Sequence, residues 1–397
     1  MRGENNLSIE IMEWETIITE GKARIVVPNP KHYTRSDGVF EPAWAPVFYN
    51  PRMRHNRDLA ILVLNTYFST REYFFVEPLA GVGVRSIRFV LESTGRGIAN
   101  DLDPISYHYI VRNTVLNNVS DLVEPYNTEA NTLLNSLRSN GVVVDYIDID
   151  PYGSPIPFIE SSAYAIARGG LIGVTATDTG PLNCSYPRTC LRRYGAYCTK
   201  TDFSKEMGLR ILIGAIVRLA ASHEIALKPI LGYFRDYYYR VYFIASRRAG
   251  DAYRLLDNVG YIIYNAETCK RIATKSLDDA LDEKVEGSII GPLWIGELGS
   301  REFIGRLINA LDKLDYINHN LQGFLRNLYN EYTVNTPYYR LDRLYSILKR
   351  NMPPINKVIE RIQEAGYRAY RTHFDPRGIK TNAPYEELMN ILRRIAI

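Results

Sequence analysis

YFFVEPLAGVG, at residues 73–83, carries the strongest indication of the fold. A short run of aromatic and β-branched residues leads into a turn that holds Gly81 and Gly83. The following residues, 84–92, place Val84, Ile87 and Leu91 on one face of a helix. The stretch therefore predicts a strand, a glycine turn and a helix, which is the first step of an open α/β sheet.

The same alternation of strands and helices continues to about residue 247. Further strands are predicted at 97–101, 123–126, 142–150, 171–177, 226–234 and 237–246, and we expect the last two to pair as a hairpin. Beyond residue 248 the pattern changes to amphipathic helices at 300–314, 321–332, 340–351 and 354–365, followed by a strand at 367–374. We therefore predict a doubly wound α/β domain at 1–247, with an N-terminal extension, and a smaller C-terminal α/β domain at 248–397.

Composition narrows the class of protein. The chain is 46% hydrophobic and 23% charged, has no apolar run of 18 residues, and begins without a secretory pattern. We therefore expect a cytoplasmic protein with no membrane contact. The net charge is +4, but residues 301–397 hold 16 Lys and Arg against 10 Asp and Glu, a surplus of +6. A basic C-terminal part suits contact with phosphates.

The four cysteines are Cys184, Cys190, Cys198 and Cys269, and none belongs to a C-x-x-C pair. This spacing fits neither a zinc site nor a disulfide framework, so we interpret them as buried free thiols and expect no metal. The sequence does not determine the oligomeric state, and a monomer is the default.

Acidic residues follow the first three predicted strands at the edge where ligands bind. Glu77 lies just before the glycine turn, where a carboxylate balances a cationic amino-acid ligand; position 86 is Ser, so the turn is not G-x-G-x-x-G. Asp101, or Asp103 as the alternative, can accept hydrogen bonds from ribose hydroxyls. Glu129 with Ala130 is placed to meet an adenine. Each acid alone also suits a helix cap or an exposed loop; the ordered set favours S-adenosylmethionine.

Residues 150–155, DPYGSP, end the fourth strand. An exocyclic base amine is a weak nucleophile because its lone pair is delocalised into the ring, so a carboxylate that accepts from its N–H can orient and deprotonate it. Asp150 is the candidate carboxylate, and Tyr152 can stack on a base that has left its helix. The motif departs by one position from the D/N-P-P-Y/F motif of amino-methyltransferases, and a simple Asp-Pro turn is the alternative.

Several longer stretches resemble the tRNA guanine-26 N2-dimethyltransferase family over nearly the whole chain. The matching stretches are VFYNPRMRHNRD at 47–58, DPYGSP at 150–155, TATDTGPL at 175–182, RYGA at 193–196 and THFDPRGIKT at 372–381. The family usually has D-A where this chain has Glu129 and Ala130, and Phe where it has Tyr152. Many relatives also carry two C-x-x-C pairs in the C-terminal domain, and here Cys269 is the only cysteine there.

The resemblance implies a Rossmann-like class I methyltransferase domain and a C-terminal tRNA-binding domain. It also implies that Arg57, Arg85, Asp101, Glu129 and Ala130 contact S-adenosylmethionine, and that Asp150 and Tyr152 act on the guanine. tRNA would lie across both domains. Two successive transfers would give N2,N2-dimethylguanosine, although these residues do not show whether the second transfer occurs.

Three other functions are compatible with parts of the pattern. An adenine-N6 methyltransferase is disfavoured by DPYG in place of D/N-P-P-Y/F and by the C-terminal element at 372–381. A non-catalytic RNA-binding protein on the same fold would have a damaged donor site, yet Glu77, Asp101 and Asp150 are present. A nicotinamide-dependent dehydrogenase is disfavoured by the missing third glycine.

Overall fold

The computed structural model describes residues 10–38, 40–278, 286–314, 317 and 320–395. The chain divides into two compact units, one formed by 1–149 with 310–319 and the other by 150–309 with 320–397. The domain boundary near residue 248 stays a prediction.

The first unit contains a β-hairpin and a parallel α/β sheet. Its elements are β1 (Glu15–Glu20), β2 (Ala23–Pro28), α1 (Arg54–Phe68), β3 (Tyr73–Glu77), α2 (Val84–Glu92), β4 (Gly95–Asn100), α3 (Pro104–Leu116), β5 (Val123–Tyr126), α4 (Ala130–Ser139) and β6 (Val144–Ile149). Strands β1 and β2 pair antiparallel. The other strands are parallel in the order β5-β4-β3-β6, with β3 at the centre beside β4 and β6.

Aromatic and aliphatic side chains fill the core of this unit. The ring of Phe89, on α2, meets the rings of Phe75 and Tyr146 edge to face, at centroid distances of 5.2 and 5.5 Å. All three side chains are fully buried. Helix α2 is thereby fixed on the sheet, and its N-terminus lies at the carboxyl end of β3, because only the six residues 78–83 separate them.

The second unit contains two three-stranded sheets, three further strands and most of the helices. Its elements are α5 (Ile159–Ala165), β7 (Ile166–Ala176), α6 (Thr179–Leu182), α7 (Pro187–Tyr194), α8 (Ser204–Ala221), β8 (Ala226–Arg235), β9 (Tyr238–Ser246), α9 (Ala249–Leu256), β10 (Val259–Tyr264), β11 (Arg271–Thr274), β12 (Ser288–Trp294), α10 (Arg301–Leu311), α11 (Asn320–Glu331), β13 (Tyr339–Arg340), α12 (Leu341–Leu348), α13 (Ile355–Glu364), β14 (Ala369–Arg371), β15 (Gly378–Thr381) and α14 (Tyr385–Ile395).

Strand pairing in this unit is antiparallel. Strands β8 and β9 form the predicted hairpin, and β9 also pairs with β7. Two further groups of strands have the orders β11-β10-β12 and β13-β15-β14. The α/β class is thus confirmed in both parts of the chain.

The helical segment that follows the DPYGSP stretch is short. It consists of one 3-10 turn, Ile156–Phe158, and α5, because the extended residue Ile166 ends the helix and begins β7. Strand β7 is correspondingly longer than predicted. The strand predicted at 367–374 is limited to β14.

Two of the cysteines form a disulfide, so their interpretation as free thiols was wrong. Cys184 and Cys198 are joined, with Cα atoms 5.8 Å apart. The chain reverses direction through α7, which brings together cysteines that are 14 residues apart in sequence. Cys190 and Cys269 are free and buried, as expected.

Within the residues that the structure describes, no helix combines the length and the apolar character that a membrane span requires.

Candidate active site

Gly81 and Asp101 are joined at the carboxyl edge of the parallel strands. The Gly81 N–H donates to one carboxylate oxygen of Asp101 at 2.9 Å, and the Asp103 N–H donates to the other at 3.0 Å. Gly81 has φ +55°, and a Cβ there would come within 3.1 Å of the Phe48 carbonyl oxygen. Burial raises the pKa of Asp101 above its ordinary value, while these two N–H donors lower it in part. The turn therefore presents bare backbone beside an acidic group.

Glu77, the acid before the turn, is fixed by the helix that follows. Its carboxylate accepts from the Ser86 N–H at 3.0 Å and from the Ser86 hydroxyl, and it lies 3.3 Å from the Arg85 guanidinium. Arg85 also lies 3.5 Å from Asp148 and donates to Asn56 at 3.0 Å. All of these side chains are buried. The predicted residues Glu77 and Arg85 therefore belong to one buried group of charged and polar side chains.

Asn100, which the sequence did not single out, joins the end of β4 to the loops that follow β3 and β5. Its side-chain N–H groups donate to the carbonyls of Pro78 and Thr128, each at 2.9 Å, and its oxygen accepts from the Thr128 N–H at 3.0 Å. The side chain is fully buried. A polar residue at the end of β4 is the only sequence signal for this role, and it does not identify the partners.

Asp103 and Glu129 each cap a helix. Asp103 accepts from the Ile105 N–H at the start of α3. Glu129 accepts from the N–H groups of Asn131 and Thr132 at the start of α4. Burial opposes ionisation of Glu129, but these hydrogen bonds outweigh it and lower the pKa of the carboxyl. The next residue, Ala130, is buried as the first residue of α4.

Arg57 is engaged with Glu20 rather than with the other predicted donor-site residues. Its Nε and Nη2 each donate to a Glu20 oxygen at 2.6 Å, and Nη2 also donates to the Asn50 carbonyl at 3.2 Å. Although burial favours loss of its proton, Glu20 raises the pKa of Arg57. The Nη1 atom has no hydrogen-bond partner in the part of the chain that the structure describes.

In the second unit, the loop with Asp150 and Tyr152 is fixed at Gly153. The Gly153 N–H donates to the Thr177 hydroxyl at 2.7 Å, and the Thr177 N–H donates to the Gly153 carbonyl at 3.0 Å. Gly153 has φ +97°, which disfavours any other residue. Asp150 is half-buried, and Tyr152 is 86% exposed. An exposed aromatic ring on a fixed backbone suits stacking against a base.

A second set of hydrogen bonds holds the same loop through Ser154. The Ser154 hydroxyl lies 3.0 Å from the Tyr194 hydroxyl, which donates to Asp178 at 2.6 Å. The other oxygen of Asp178 accepts from Arg193 at 2.9 Å. Burial, with the Asp178 carboxylate beside it, raises the pKa of the Tyr194 hydroxyl well above its ordinary value. Tyr194 therefore stays protonated and donates.

The matching stretches DPYGSP, TATDTGPL and RYGA thus meet in three dimensions. The sequence identified them by resemblance but assigned no role to Thr177, Asp178 or Tyr194. In the part of the chain that the structure describes, no three His, Cys, Asp or Glu side chains are grouped so that they could hold a metal ion.

The chain is similar to known proteins over almost its whole length. A family model described as N2,N2-dimethylguanosine tRNA methyltransferase matches residues 21–393. Two proteins named tRNA (guanine(26)-N(2))-dimethyltransferase, from Metallosphaera sedula and Saccharolobus solfataricus, are 36% and 38% identical to this chain. The matches cover 95% of this chain in both cases, and 96% and 98% of those proteins.

A solved structure has a closely similar fold. It is Trm1 from Pyrococcus horikoshii in complex with S-adenosyl-L-methionine, with a TM-score of 0.83, 30% identity, and coverage of 95% of this chain and 99% of that one. Taken with the family match over 21–393, this similarity shows that the chain belongs to the N2,N2-dimethylguanosine tRNA methyltransferase family.

Proposed function

We propose that the chain transfers methyl groups from S-adenosylmethionine to the exocyclic N2 of guanine 26 in tRNA, twice in succession. The observation that carries the proposal is the loop at 150–155, where a half-buried carboxylate, Asp150, precedes an exposed tyrosine, Tyr152, on a backbone fixed by Thr177. The names of the relatives supply the target position.

The first unit contains groups that fit the methyl donor. Each oxygen of Asp101 accepts one backbone N–H, and a carboxylate oxygen has two lone pairs, so both can also accept from ribose hydroxyls. Gly81 admits the ligand close to the backbone because it carries no Cβ. We propose that Asp101, Gly81, Glu129 and Ala130 bind the nucleoside part.

The buried group around Glu77 would bind the amino-acid end of the donor. We propose that Glu77 and Arg85 set the charge of the site that receives this end of the donor. We also propose that Arg57 binds it through Nη1, because Nε and Nη2 already donate to Glu20. When bound, S-adenosylmethionine supplies an electrophilic methyl group on its positively charged sulfur.

Asp150 would orient the guanine amine and take its proton. The carboxylate accepts a hydrogen bond from N2–H, which directs the nitrogen lone pair, and it takes up the proton that the amine loses on methylation. Tyr152 would stack on the base and hold it out of the RNA helix. Asp150 follows Ile149, the last residue of β6, so the covalent chain places it directly after a parallel strand.

The assay uses the purified chain, an unmodified tRNA transcript and labelled S-adenosylmethionine, followed by digestion and identification of the nucleoside. We expect N2,N2-dimethylguanosine, lost when guanine 26 is replaced. N2-methylguanosine alone would limit the enzyme to one transfer. No methylated guanosine from a preparation that binds the donor would overturn the proposed substrate.

Asp150→Ala should lower the methylation rate by roughly a hundredfold or more, the usual contribution of a positioned general base. Asp257→Ala, which removes an exposed carboxylate of the same unit, serves as the control and should keep the wild-type rate. Binding of S-adenosylmethionine and tRNA to Asp150→Ala should be unchanged. A variant that retains most of its rate would show that Asp150 is not the base.

The remaining expectations are also proposals. We propose a cytoplasmic monomer, and sedimentation of the purified chain tests the oligomeric state. We propose that the domain at 248–397 binds the tRNA backbone, since residues 301–397 carry the surplus of +6. Limited proteolysis tests the boundary, because it should cleave near residue 248 and release two folded fragments.

A further inference from the structure

We propose that α7 and its flanking residues form a second RNA-contacting surface, which binds the tRNA strand next to the target guanine. This inference rests on the proposed function. The surface, called the α7 surface below, consists of Tyr186, Arg188, Leu191, Arg192, Tyr197 and Lys200.

The positive charge of this segment is concentrated and only partly compensated. Residues 179–201 contain Arg188, Arg192, Arg193 and Lys200 and no Asp or Glu, so these 23 residues carry +4, equal to the net charge of the whole chain. Arg193 pairs with Asp178. The exposed side chains of Arg188, Arg192 and Lys200 form no ion pair with any residue in the described ranges. A polyanion fits such a surface.

Helix α7 has its exposed arginines on one face and its buried side chains on the opposite face. Cys190 and Tyr194, four residues apart, are buried. Arg188 and Arg192, also four apart, therefore point outward, one helical turn from each other. Leu191 lies beside them and is 38% exposed. The two arginines are thus about 6 Å apart along the helix axis and can contact the same strand.

Two exposed tyrosines flank the helix. Tyr186 is 63% exposed, and its ring packs over Gly180, where an added Cβ would come within 2.8 Å of it. Tyr197 is 65% exposed, and its backbone N–H and carbonyl both pair with Gly291, at 2.8 and 2.9 Å. Aromatic rings held on a fixed backbone suit stacking with unpaired bases, and cations between them suit the phosphates.

The segment is also closed by a covalent link and connected to the loop at 150–155. The Cys184–Cys198 disulfide closes it, and Arg218 donates to the Tyr194 carbonyl at 2.8 Å. Tyr194 itself holds Ser154, two residues from Tyr152. A strand that enters with its guanine against Tyr152 therefore meets α7 next. The α7 surface would therefore contact the strand next to the target guanine, whereas the basic region at 301–397 is proposed to contact the tRNA backbone.

The test measures tRNA affinity for the full chain at several salt concentrations. In Arg188→Ala/Arg192→Ala we expect the Kd for tRNA to rise about tenfold or more. The slope of log Kd against log salt should fall by about one to two, because one or two phosphate contacts are lost. The Kd for S-adenosylmethionine should not change. Arg188→Lys/Arg192→Lys keeps the charge and should restore most of the affinity.

The matched control is Arg168→Ala. Arg168 is an exposed arginine near the amino end of β7, and it forms no ion pair with any residue in the described ranges. The nine residue-to-residue steps from Arg168 to Thr177 span roughly 30 Å of extended chain, so this variant should bind tRNA like the wild type.

Two variants of Tyr197 test whether its aromatic ring stacks on a base or only fills space. Tyr197→Phe keeps the ring, and Tyr197→Leu replaces it with an aliphatic side chain. Phe should bind tRNA normally, whereas Leu should weaken binding about tenfold, within the range measured for loss of one stacked base.

Unchanged tRNA affinity in both the double-alanine and the Leu variant, with normal wild-type methylation, would overturn the α7 surface alone. A wild type that neither binds nor methylates tRNA would overturn the proposed function and this surface together. A changed oligomeric state with unchanged tRNA affinity would reassign the surface to self-association.

Discussion

Asp101 and Asp103 are two residues apart, and both are candidates for the ribose contact. The structure separates their tasks, because Asp103 caps α3 through Ile105 while Asp101 receives the Gly81 N–H of the glycine turn. Asparagine caps a helix as well as aspartate does, but it lacks one of the two acceptor oxygens that ribose would need. The two acids can therefore be distinguished by the same conservative substitution.

Asp101→Asn should raise the Kd for S-adenosylmethionine by roughly ten- to a hundredfold, the cost of a lost hydrogen bond to a charged group, and Asp103→Asn should leave it unchanged. Burial raises the pKa of Asp101, so donor affinity of the wild type should fall on acidification at a pH above the ordinary 3.8. Calorimetric titration against pH measures both effects. Weakened binding in Asp103→Asn alone would transfer the ribose contact to Asp103.

Tyr194 is a positioning residue, because in the described part of the chain its hydroxyl meets the 150–155 loop at Ser154. Tyr194→Phe removes the hydroxyl that joins Ser154 to Asp178, and we expect kcat to fall about tenfold while the Kd for S-adenosylmethionine stays constant. Tyr345→Phe is the matched control: Tyr345 is buried, and its hydroxyl has no hydrogen-bond partner in the described part of the chain. Equal kcat values for the two variants would remove Tyr194 from the positioning of the loop.

At the scale of the element, α7 depends on a covalent link as well as on packing. The Cys184–Cys198 disulfide closes a loop of about 15 residues, which should contribute roughly 3 kcal/mol to the free energy of unfolding by restricting the unfolded chain. A reductant should therefore lower the Tm of the wild type and leave Cys184→Ala/Cys198→Ala unchanged. Alkylation of the unfolded, unreduced chain should label only Cys190 and Cys269; four labelled cysteines would contradict the disulfide.

Elements with a regular apolar pattern were predictable, and contacts between distant residues were not. Strand β3, helix α2 and strand β5 match their predicted ranges because each combines an alternating or helical pattern with a clear end signal. Strands β10 and β11 lie between residues 248 and 300, where no element was predicted; length is not the reason, since β10 has six residues and β3 has five. Ser154, Asp178 and Tyr194 could not be joined from sequence, since 40 residues separate Ser154 from Tyr194 and no periodicity encodes that contact.

At the scale of the whole molecule, buried charges connect parts of the first unit that are far apart in sequence. Glu20, at the end of β1, accepts from Arg57 at 2.6 Å, from Arg88 at 2.9 Å and from Tyr49 at 2.9 Å. Arg88 also pairs with Glu92 at 2.8 Å. The Glu20 carboxylate thereby joins the N-terminal hairpin to α1 and α2. Arg57, which is expected to contact S-adenosylmethionine, depends on Glu20 for its orientation.

This arrangement predicts acid sensitivity of the fold. Burial opposes ionisation of Glu20, but Arg57 and Arg88 outweigh it and lower the pKa of the carboxyl to about 2, below the 4.5 expected in the unfolded chain. A lowered pKa contributes stability that is fully present above pH 4.5 and is lost as the pH falls toward 2. Urea unfolding of the wild type should therefore show a steep loss of free energy across that interval.

Glu20→Gln should cost about 3–5 kcal/mol at pH 7, because it leaves two buried guanidinium groups with one fewer partner. It should also flatten the dependence of stability on pH between 4.5 and 2, since the titrating group is gone. Glu72→Gln, at an exposed glutamate of the same unit that pairs with no residue in the described ranges, should retain both the stability and the slope of the wild type. If Glu20→Gln unfolds like Glu72→Gln at pH 7, the carboxylate does not hold the hairpin to the helices. If it is destabilised but keeps the wild-type slope, other acids of this unit, such as Glu15, whose pKa is also lowered to about 2, carry the acid sensitivity instead.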